Sequence, residues 1–240
     1  MRVPLQRVTD LLSVGEIELL GLMPDASNYT FAVRVSRDDL SALAVYKPQR
    51  GETPLWDFPD GTLYAREIAA FAVSAALGWD LVPPTILREG PHGIGSLQLF
   101  IDAEPEHHYL TLRDAMPEVF RLVAAFDVVI NNADRKSGHC LLEKETAHLW
   151  VVDHGVCFHV EEKLRTLIWD FAGDPIDEAA RADLTRLLEQ LAGGALCRTL
   201  ETLLSPEEVA ALRARTQMLL EQGRLPEVPQ DRRPYPWPPI

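Results

Sequence analysis

The sequence predicts an α+β fold of two lobes, a β-rich first lobe with one main helix and a helical second lobe that contains a β-hairpin. Strand-like alternation and turn signals dominate the first hundred residues, whereas the chain from Leu112 onward is mainly helical. The hairpin between the later helices carries two polar motifs, Asp134-Arg135 and Asp153-His154-Gly155. A doubly wound sheet would instead show regular alternation of strands and helices.

The first lobe begins with a predicted strand pair. Residues 29–35 and 41–46 alternate between apolar and polar side chains, and residues 37–39 between them suit a tight turn. Residues 48–61 are rich in proline, glycine and acids, which favours a loop. These signals predict an antiparallel hairpin that runs into a long connection.

The main helix of the first lobe is predicted over residues 62–77. Its apolar side chains fall near one face, Thr62 is a candidate N-cap, and Gly78 is a candidate stop signal. A second strand pair is predicted over residues 84–88 and 96–101, joined by a Gly-Pro-His-Gly turn.

The second lobe is predicted to consist of helices around a hairpin. The expected helices cover residues 118–130, 177–203 and 206–222, and the expected hairpin strands are 140–143 and 149–153. The tail from residue 226 is rich in proline, so we expect it to be extended along the surface. We therefore expect a first lobe of residues 1–101 and a second lobe of residues 102–240.

The composition argues against several classes of partner. The chain has 240 residues and a formal net charge of −13, so nucleic acid and anionic membrane surfaces should repel it. Its three cysteines form no CxxC pair, which argues against a disulfide framework and a zinc ribbon and favours buried thiols. No apolar stretch reaches the length of a membrane span, and no signal peptide is recognisable, so we expect a cytoplasmic protein without stable membrane association. The sequence leaves the oligomeric state open.

Lys47 and Glu67 are candidates for holding a nucleotide. Lys47 ends a predicted strand and Glu67 lies on the first main helix, twenty residues later. Phosphoryl transfer requires a cation near the phosphates, and a strand lysine held by a helix glutamate provides one. A surface lysine and a solvated glutamate are the alternative interpretation.

The two polar motifs are candidates for the reaction itself. Asp134 follows an apolar helix within Asn-Asn-Ala-Asp-Arg, where its carboxylate is suited to orient a substrate hydroxyl, and Arg135 is suited to hold the loop or offset charge. Asp153 ends an apolar strand, which is a suitable place for a metal-binding carboxylate, and Gly155 would let the chain turn away. Capped turns are the alternative interpretation of both motifs.

Several stretches in the same order resemble one superfamily. Residues 45–48 (VYKP) resemble its Phe-Lys-Pro motif, 67–84 its helix and Val-Pro segment, 96–100 the strand before the hinge, 129–142 its catalytic loop, and 152–158 its metal motif. The superfamily is that of the phosphatidylinositol 3- and 4-kinase-like proteins. The chain most closely resembles the type II phosphatidylinositol 4-kinases and their small actinobacterial relatives, and HipA-type kinases share parts of the pattern.

The resemblance implies a kinase-like fold that uses ATP with Mg²⁺ or Mn²⁺. It implies that Lys47 contacts the phosphates, that Glu67 positions Lys47, and that Asp134 is catalytic, with Arg135 and Lys136 beside it. It also implies that Asp153 is a metal ligand. The remaining nucleotide-binding candidates are the loop residues Ser27 and Asn28 and the hinge residues Gln98, Leu99, Phe100 and Ile101.

His139 is the main departure from the superfamily pattern. The superfamily usually has an asparagine metal ligand five residues after the catalytic aspartate, where this chain has His139. Imidazole is a softer ligand than an amide oxygen. His139 therefore either changes the metal preference, does not bind metal, or marks a weakened enzyme. Lys136 is a second departure and is suited to steady a transferred phosphate.

Three functions follow as hypotheses. The first is an active kinase with an unknown acceptor, for which a protein or a small molecule is favoured over a lipid because the chain is acidic. Residues 163–165 (Lys-Leu-Arg) are the candidate basic site for that acceptor. The second is a nucleotide-binding pseudokinase, motivated by His139. The third is nucleotidyl transfer on the same fold.

Overall fold

The structure is a computed structural model that describes residues 4–24 and 28–239. The first helix is α1 (Leu5–Val14), and the strands of the larger sheet are β1 (Glu16–Leu22), β2 (Phe31–Arg37), β3 (Leu40–Pro48), β4 (Thr85–Gly90) and β5 (Gly93–Leu99). This sheet is antiparallel, with strand order β1-β2-β3-β5-β4. Both predicted strand pairs are confirmed, whereas α1 and β1 were not predicted.

Helix α2 (Leu63–Leu77) is the main helix of the first half. It ends as predicted, at Gly78 in a left-handed conformation. The predicted Thr62 cap is wrong, because the Thr62 hydroxyl bonds the Pro59 carbonyl instead. The free N–H groups of the first turn, those of Leu63 and Tyr64, donate to the Glu52 carboxylate from the preceding loop.

The second half is helical around a short hairpin, so the α+β two-lobed prediction is confirmed. The predicted helix over 177–203 is wrong in one respect, since Gly193 and Gly194 divide it into two helices. Glycine destabilises a helix interior, and Gly193 adopts a positive φ of 133°. The elements are α3 (Tyr109–Leu112), α4 (Pro117–Ile130), β6 (Cys140–Leu142), β7 (Leu149–Val151), α5 (Glu178–Leu191), α6 (Ala195–Glu201) and α7 (Pro206–Gln222).

Most buried apolar side chains of the described residues belong to two clusters. The smaller cluster lies between α1 and the sheet and includes Leu12, Val35 and Leu97. The larger cluster joins α4, α5, α6 and α7 and also contains the apolar face of α2, for example Val73 and Leu77. Helix α2 therefore lies between β3 and β4 in the chain and contacts β4 and β5, yet its apolar side chains belong to the core cluster of the helical half.

The proline-rich tail is extended over the surface of the helical half. The Pro234 carbonyl accepts hydrogen bonds from Thr166 and the Trp169 indole, and the Pro239 carbonyl accepts one from Ser137. Among the cysteines, Cys140 and Cys157 are buried as expected, whereas Cys197 is partly exposed. Within residues 4–24 and 28–239, no helix combines the length and apolarity needed to cross a bilayer.

Candidate active site

A cleft of about 470 Å³ lies between the large sheet and the β6–β7 hairpin. One wall comes from β3, β5 and the chain before β2, and the other from the hairpin and the residues after it. Nearly all the residues that the sequence analysis selected line this cleft. They are Asn28, Lys47, Glu67, Gln98, Leu99, Phe100, Ile101, Lys136, His139 and Asp153.

Lys47 is the cation at the centre of the cleft. Its strand neighbours Tyr46 and Pro48 are buried on the other face, so strand alternation directs Lys47 into the cleft. Its ammonium group donates to the Glu67 carboxylate and to Asp153 Oδ1, the latter at 2.9 Å. Burial alone would lower the pKa of Lys47, but the two carboxylates outweigh burial and raise it above its ordinary value. Lys47 therefore stays charged at neutral pH.

Glu67 is a buried carboxylate that accepts hydrogen bonds from both walls of the cleft. Its side chain is 3% exposed, and its Oε1 accepts from Lys47. Its other oxygen, Oε2, accepts from the backbone N–H of His154 at 3.0 Å. Glu67 thus connects the sheet to the segment after β7.

Asp153 lies directly after the last residues of β7 and reaches into the cleft. Its backbone is left-handed, with φ of 64°, a conformation that aspartate tolerates better than most residues. Gly155 lies in a turn, as expected, whereas the left-handed conformation belongs to Asp153. Lys47 holds the pKa of Asp153 well below its usual range, against the effect of burial.

His139 lies against Asp153. Its Nδ1 accepts the backbone N–H of Lys136 at 3.3 Å, so the neutral ring carries its proton on Nε2. That Nε2 lies 3.3 Å from Asp153 Oδ2. Burial lowers the pKa of His139 to about 4, so the ring is neutral at physiological pH. In this tautomer the nitrogen that faces the cleft is a donor and not a metal ligand.

The donor set fits one hard cation held jointly with a nucleotide. In the described parts of the chain, no group of three or more His, Cys, Asp or Glu side chains forms a metal site by itself. Magnesium in nucleotide sites is usually held by one or two carboxylates together with phosphate oxygens and waters. The Asp153 carboxylate, 51% exposed in the cleft, suits that arrangement.

Arg135 holds the loop after α4 and does not line the cleft. Its guanidinium is fully buried, binds both oxygens of Asp127, and donates to the Val152 carbonyl. Asn132 also donates to Asp127 and accepts the backbone N–H of Asp134. Arg135 was predicted to lie beside the reacting residues. Its buried position agrees instead with the alternative that it holds the loop.

Asp134 and Lys136 form a pair at the mouth of the cleft. Lys136 Nζ lies 3.3 Å from Asp134 Oδ2, and only Lys136 lines the cavity. Burial raises the pKa of Asp134, although Lys136 and Arg165 oppose the shift. A carboxylate with a raised pKa beside a cleft is suited to accept a proton.

The hinge candidates 98–101 and the loop candidate Asn28 also line the cleft. The backbone N–H groups of Leu99 and Phe100 already donate to the carbonyls of Pro84 and Leu43, and the Gln98 side chain donates to the Thr85 hydroxyl. The Asn28 side chain accepts the backbone N–H of Thr53 at 2.7 Å. Ser27, the other loop candidate, lies outside the described residues.

Sequence analysis missed three polar residues that shape the site: Asp127, His154 and Glu52. Asp127 was detectable, because it is the one charged residue in the final, otherwise apolar stretch of α4 and is fully buried. His154 was seen only as part of a motif, although it is fully buried between Arg135 and Glu67. Conversely, Lys163 of the predicted acceptor site is buried and paired with Asp57.

Two curated proteins are similar to the chain in sequence. Protein Rv2133c of Mycobacterium tuberculosis is 43% identical, over 95% of this chain and 94% of that protein. Phosphatidylinositol 4-kinase gamma 4 of Oryza sativa is 29% identical over 66% of this chain, but only over 31% of its own length. No protein-family model matches the chain.

Solved structures of kinases share the fold at low sequence identity. The Helicobacter pylori proinflammatory kinase CtkA superposes with a TM-score of 0.53 and 13% identity, covering 89% of this chain and 94% of that one. The Golgi casein kinase with Mn/ADP bound gives 0.56 and 14%, covering 91% and 75%. The chain therefore has a kinase-like fold, as expected. These likenesses do not single out the phosphatidylinositol-kinase or HipA-type families within it.

Proposed function

We propose that this chain, which belongs to the same family as Protein Rv2133c of Mycobacterium tuberculosis, is an ATP-dependent phosphotransferase. The observation that carries the proposal is the arrangement of Lys47, which one cleft brings into contact with both Glu67 and Asp153. A lysine between a structural carboxylate and a metal-binding carboxylate is what phosphoryl transfer needs.

In the proposed mechanism Lys47 binds the phosphates of ATP. Its charge is permanent, and Glu67 is too buried to follow a ligand, so Glu67 keeps the ammonium group in place. Asp153 is half exposed and shares the same ammonium group. When phosphates take up Lys47, the Asp153 carboxylate becomes available to a cation.

Asp153 would hold Mg²⁺ or Mn²⁺ together with phosphate oxygens. The ion would neutralise charge that develops on the transferred phosphoryl group. His139, with its proton on Nε2, would orient Asp153 through a hydrogen bond and not bind the metal. This assigns His139 a supporting role in place of the expected ligand.

Asp134 would orient the acceptor hydroxyl and accept its proton. Its raised pKa and its place at the mouth of the cleft support this role. Lys136 would leave Asp134 to contact the transferred phosphate. Arg135 would act at a distance, because it fixes the loop through Asp127.

The adenine would lie against the residues 98–101. The Leu99 and Phe100 N–H groups are engaged in the sheet, so the Ile101 N–H, which has no backbone acceptor among the described residues, would donate to the base. Residues 1–101 and 102–240 would then act as two lobes with the nucleotide between them.

A nucleotide-binding module without turnover is the second candidate. The observation that favours it is His139, whose contact with Asp153 occupies an oxygen that a metal would need. Such a module would bind ATP through Lys47 and transfer nothing.

Transfer of label from ATP tests the proposal. We expect purified full-length chain with Mg²⁺ or Mn²⁺ to transfer phosphate from γ-labelled ATP to a component of cell extract, and to transfer none from α-labelled ATP. Asp134→Asn should reduce transfer at least about hundredfold, the scale of a lost general base. Asp114→Asn is the matched control, since its side chain is 99% exposed.

The outcomes separate the candidates. Binding of ATP without any transfer favours the module, and transfer of the α-label favours nucleotidyl transfer. Vesicles containing phosphatidylinositol, protein fractions and small-molecule fractions of the extract are offered as separate acceptors. We expect transfer to protein or small molecule, because the net charge of −13 disfavours approach to an anionic lipid surface.

A further inference from the structure

His154 is a fully buried imidazole between two charged pairs. On one side lies the Arg135–Asp127 pair of the loop after α4, and on the other the Glu67–Lys47 pair. Its ring packs edge-on against Phe126, with ring centroids 5.8 Å apart. No step assigned above uses this side chain.

The contact with Arg135 fixes the tautomer of His154. Arg135 Nη2 lies 2.8 Å from His154 Nε2. A guanidinium group can only donate, so Nε2 must accept. The neutral ring therefore carries its proton on Nδ1.

Among the residues that the structure describes, the buried Nδ1–H group of His154 finds no hydrogen-bond partner. The nearest carboxylate oxygen is Glu67 Oε2, at 3.9 Å. The backbone N–H of the same residue already donates to that oxygen, at 3.0 Å. A buried donor without an acceptor is destabilising, so a small movement of Glu67 that closes this gap would be favourable.

We propose that His154 is a positioning residue, which ties Arg135 to Glu67 and whose Nδ1–H bonds Glu67 Oε2 when nucleotide phosphates engage Lys47. The ligand-free Lys47 is divided between Glu67 and Asp153. Phosphates that bind Lys47 share its positive charge, which leaves Glu67 with less stabilisation from its cation. The Nδ1–H of His154 supplies the missing donor and keeps the carboxylate in place. This inference rests on the proposed nucleotide site.

Two amide variants separate the nitrogens of the ring. The Asn side-chain amide reaches the position of Nδ1, and the Gln amide that of Nε2. His154→Asn therefore keeps a donor for Glu67 and loses the acceptor for Arg135, whereas His154→Gln does the reverse. His154→Phe removes both groups, and His148→Phe is the control for replacing a histidine in the hairpin.

Binding of a non-hydrolysable ATP analogue with Mg²⁺ is measured by calorimetry. We expect His154→Phe and His154→Gln to weaken binding about tenfold, and His154→Asn and His148→Phe to weaken it less than threefold. In a Glu67→Gln background, His154→Phe should change affinity less than twofold. Equal losses in both backgrounds would show a merely structural histidine and overturn the proposal.

Nitrogen NMR of histidine-labelled full-length chain provides a test that needs no nucleotide. We expect His154 to be the Nδ1–H tautomer, and its proton to exchange more slowly once the ATP analogue is added. An Nε2–H tautomer overturns the inference whatever the chain binds. If wild type binds no nucleotide, the proposed function fails, and the inferred nucleotide-dependent contact fails with it. If wild type binds the nucleotide and the Nδ1 proton of His154 exchanges at the same rate with and without it, only the inference fails.

Discussion

The large sheet and helix α2 are neighbours in the chain, yet they belong to different cores. The sheet encloses a small cluster with α1, whereas α2 packs among the helices of the second half. Two side-chain contacts also attach α2 to the helical half. Arg66 pairs with Glu208 of α7, and the indole of Trp79, which follows α2, donates to Asp183 of α5. The glutamate and the lysine of the candidate site therefore stand on elements whose apolar side chains pack into two different clusters.

The difference shows what a change in cleft width would do. Lys47 lies on β3, whereas Glu67 lies on α2, which contacts β4 and β5 of the sheet as well as α5 and α6 of the helical half. The ion pair between Lys47 and Glu67 therefore reports the position of β3 relative to α2. The buried pair of Arg66 with Glu208 resists a rotation of α2 that would carry Glu67 out of the cleft.

Removal of Arg66 should loosen α2 from the helical half, and it should have the largest effect of these variants on the free energy of unfolding. Arg66 is 1% exposed, bonds the Cys157 carbonyl, and pairs with Glu208 at 2.6 Å. Arg66→Met leaves a buried carboxylate without a cation, which we expect to lower the free energy of unfolding by about 3–5 kcal/mol. Urea denaturation measures the change.

The matched control removes both charges. Arg66→Met combined with Glu208→Leu should recover a substantial part of the loss, because apolar groups often replace a buried ion pair with little cost. If Arg66→Met alone is as stable as wild type, the pair does not fasten α2 to the helical half.

Replacement of Lys47 should have the next largest effect, on binding and not on the core. Lys47→Met removes the cation that the proposed phosphates contact, and we expect at least about hundredfold weaker ATP binding, or about 2.7 kcal/mol. Calorimetry gives the affinity, and Lys47→Arg, which keeps the charge, should retain more of it. Undiminished binding by Lys47→Met would place the nucleotide elsewhere.

Glu52 connects the two regions directly, because it joins the loop after β3 to the first turn of α2. Its carboxylate accepts N–H groups at 3.0 and 2.8 Å. Glu52→Ala should cost about 1 kcal/mol, the usual cost of a lost helix cap. Thr62→Ala is the control and should be close to neutral in thermal unfolding, because its hydroxyl caps nothing. If the two variants have equal effects, Thr62 caps α2 as the sequence predicted.

The smallest expected effect is the pH dependence of Asp153. The pKa of Asp153 is held below that of an unfolded aspartate, so its contribution to stability is present above about pH 4 and disappears as the pH falls further. We expect Asp153→Asn to reduce stability by at most about 1 kcal/mol at pH 6, since the group is half exposed. The difference from wild type should shrink on acidification, measured by urea denaturation from pH 6 to 3. If the stability difference grows on acidification instead, folding raises the pKa of Asp153 and does not lower it.

Sequence alone predicted the elements whose signals are local. The β2–β3 and β4–β5 pairs, the hairpin and helix α7 follow from alternation, turn residues and capping residues. The division of the third predicted helix was missed, although Gly193-Gly194 is a local signal too. Strand β1 was missed because it is an exposed edge strand without clear alternation in its burial.

The candidate site was predictable as a set of residues but not as a set of contacts. Order and spacing selected Lys47, Glu67 and Asp153, and these lie together. Sequence could not place Arg135 inside the protein, because its partner Asp127 lies on the preceding helix and no pattern pairs the two. The tautomer of His139 depends on one backbone N–H, which only three-dimensional structure supplies.

The pinned position of α2 has a consequence for chemical inhibitors of the cleft. Glu67 lines the cavity beside Lys47 and is only 3% exposed, so it offers a compound almost no contact surface. Affinity and selectivity would have to come from the open rim, where the aromatic side chains of Tyr29 and Phe100 are exposed. Flat compounds that stack at this rim are the natural starting points for a chemical probe of the family.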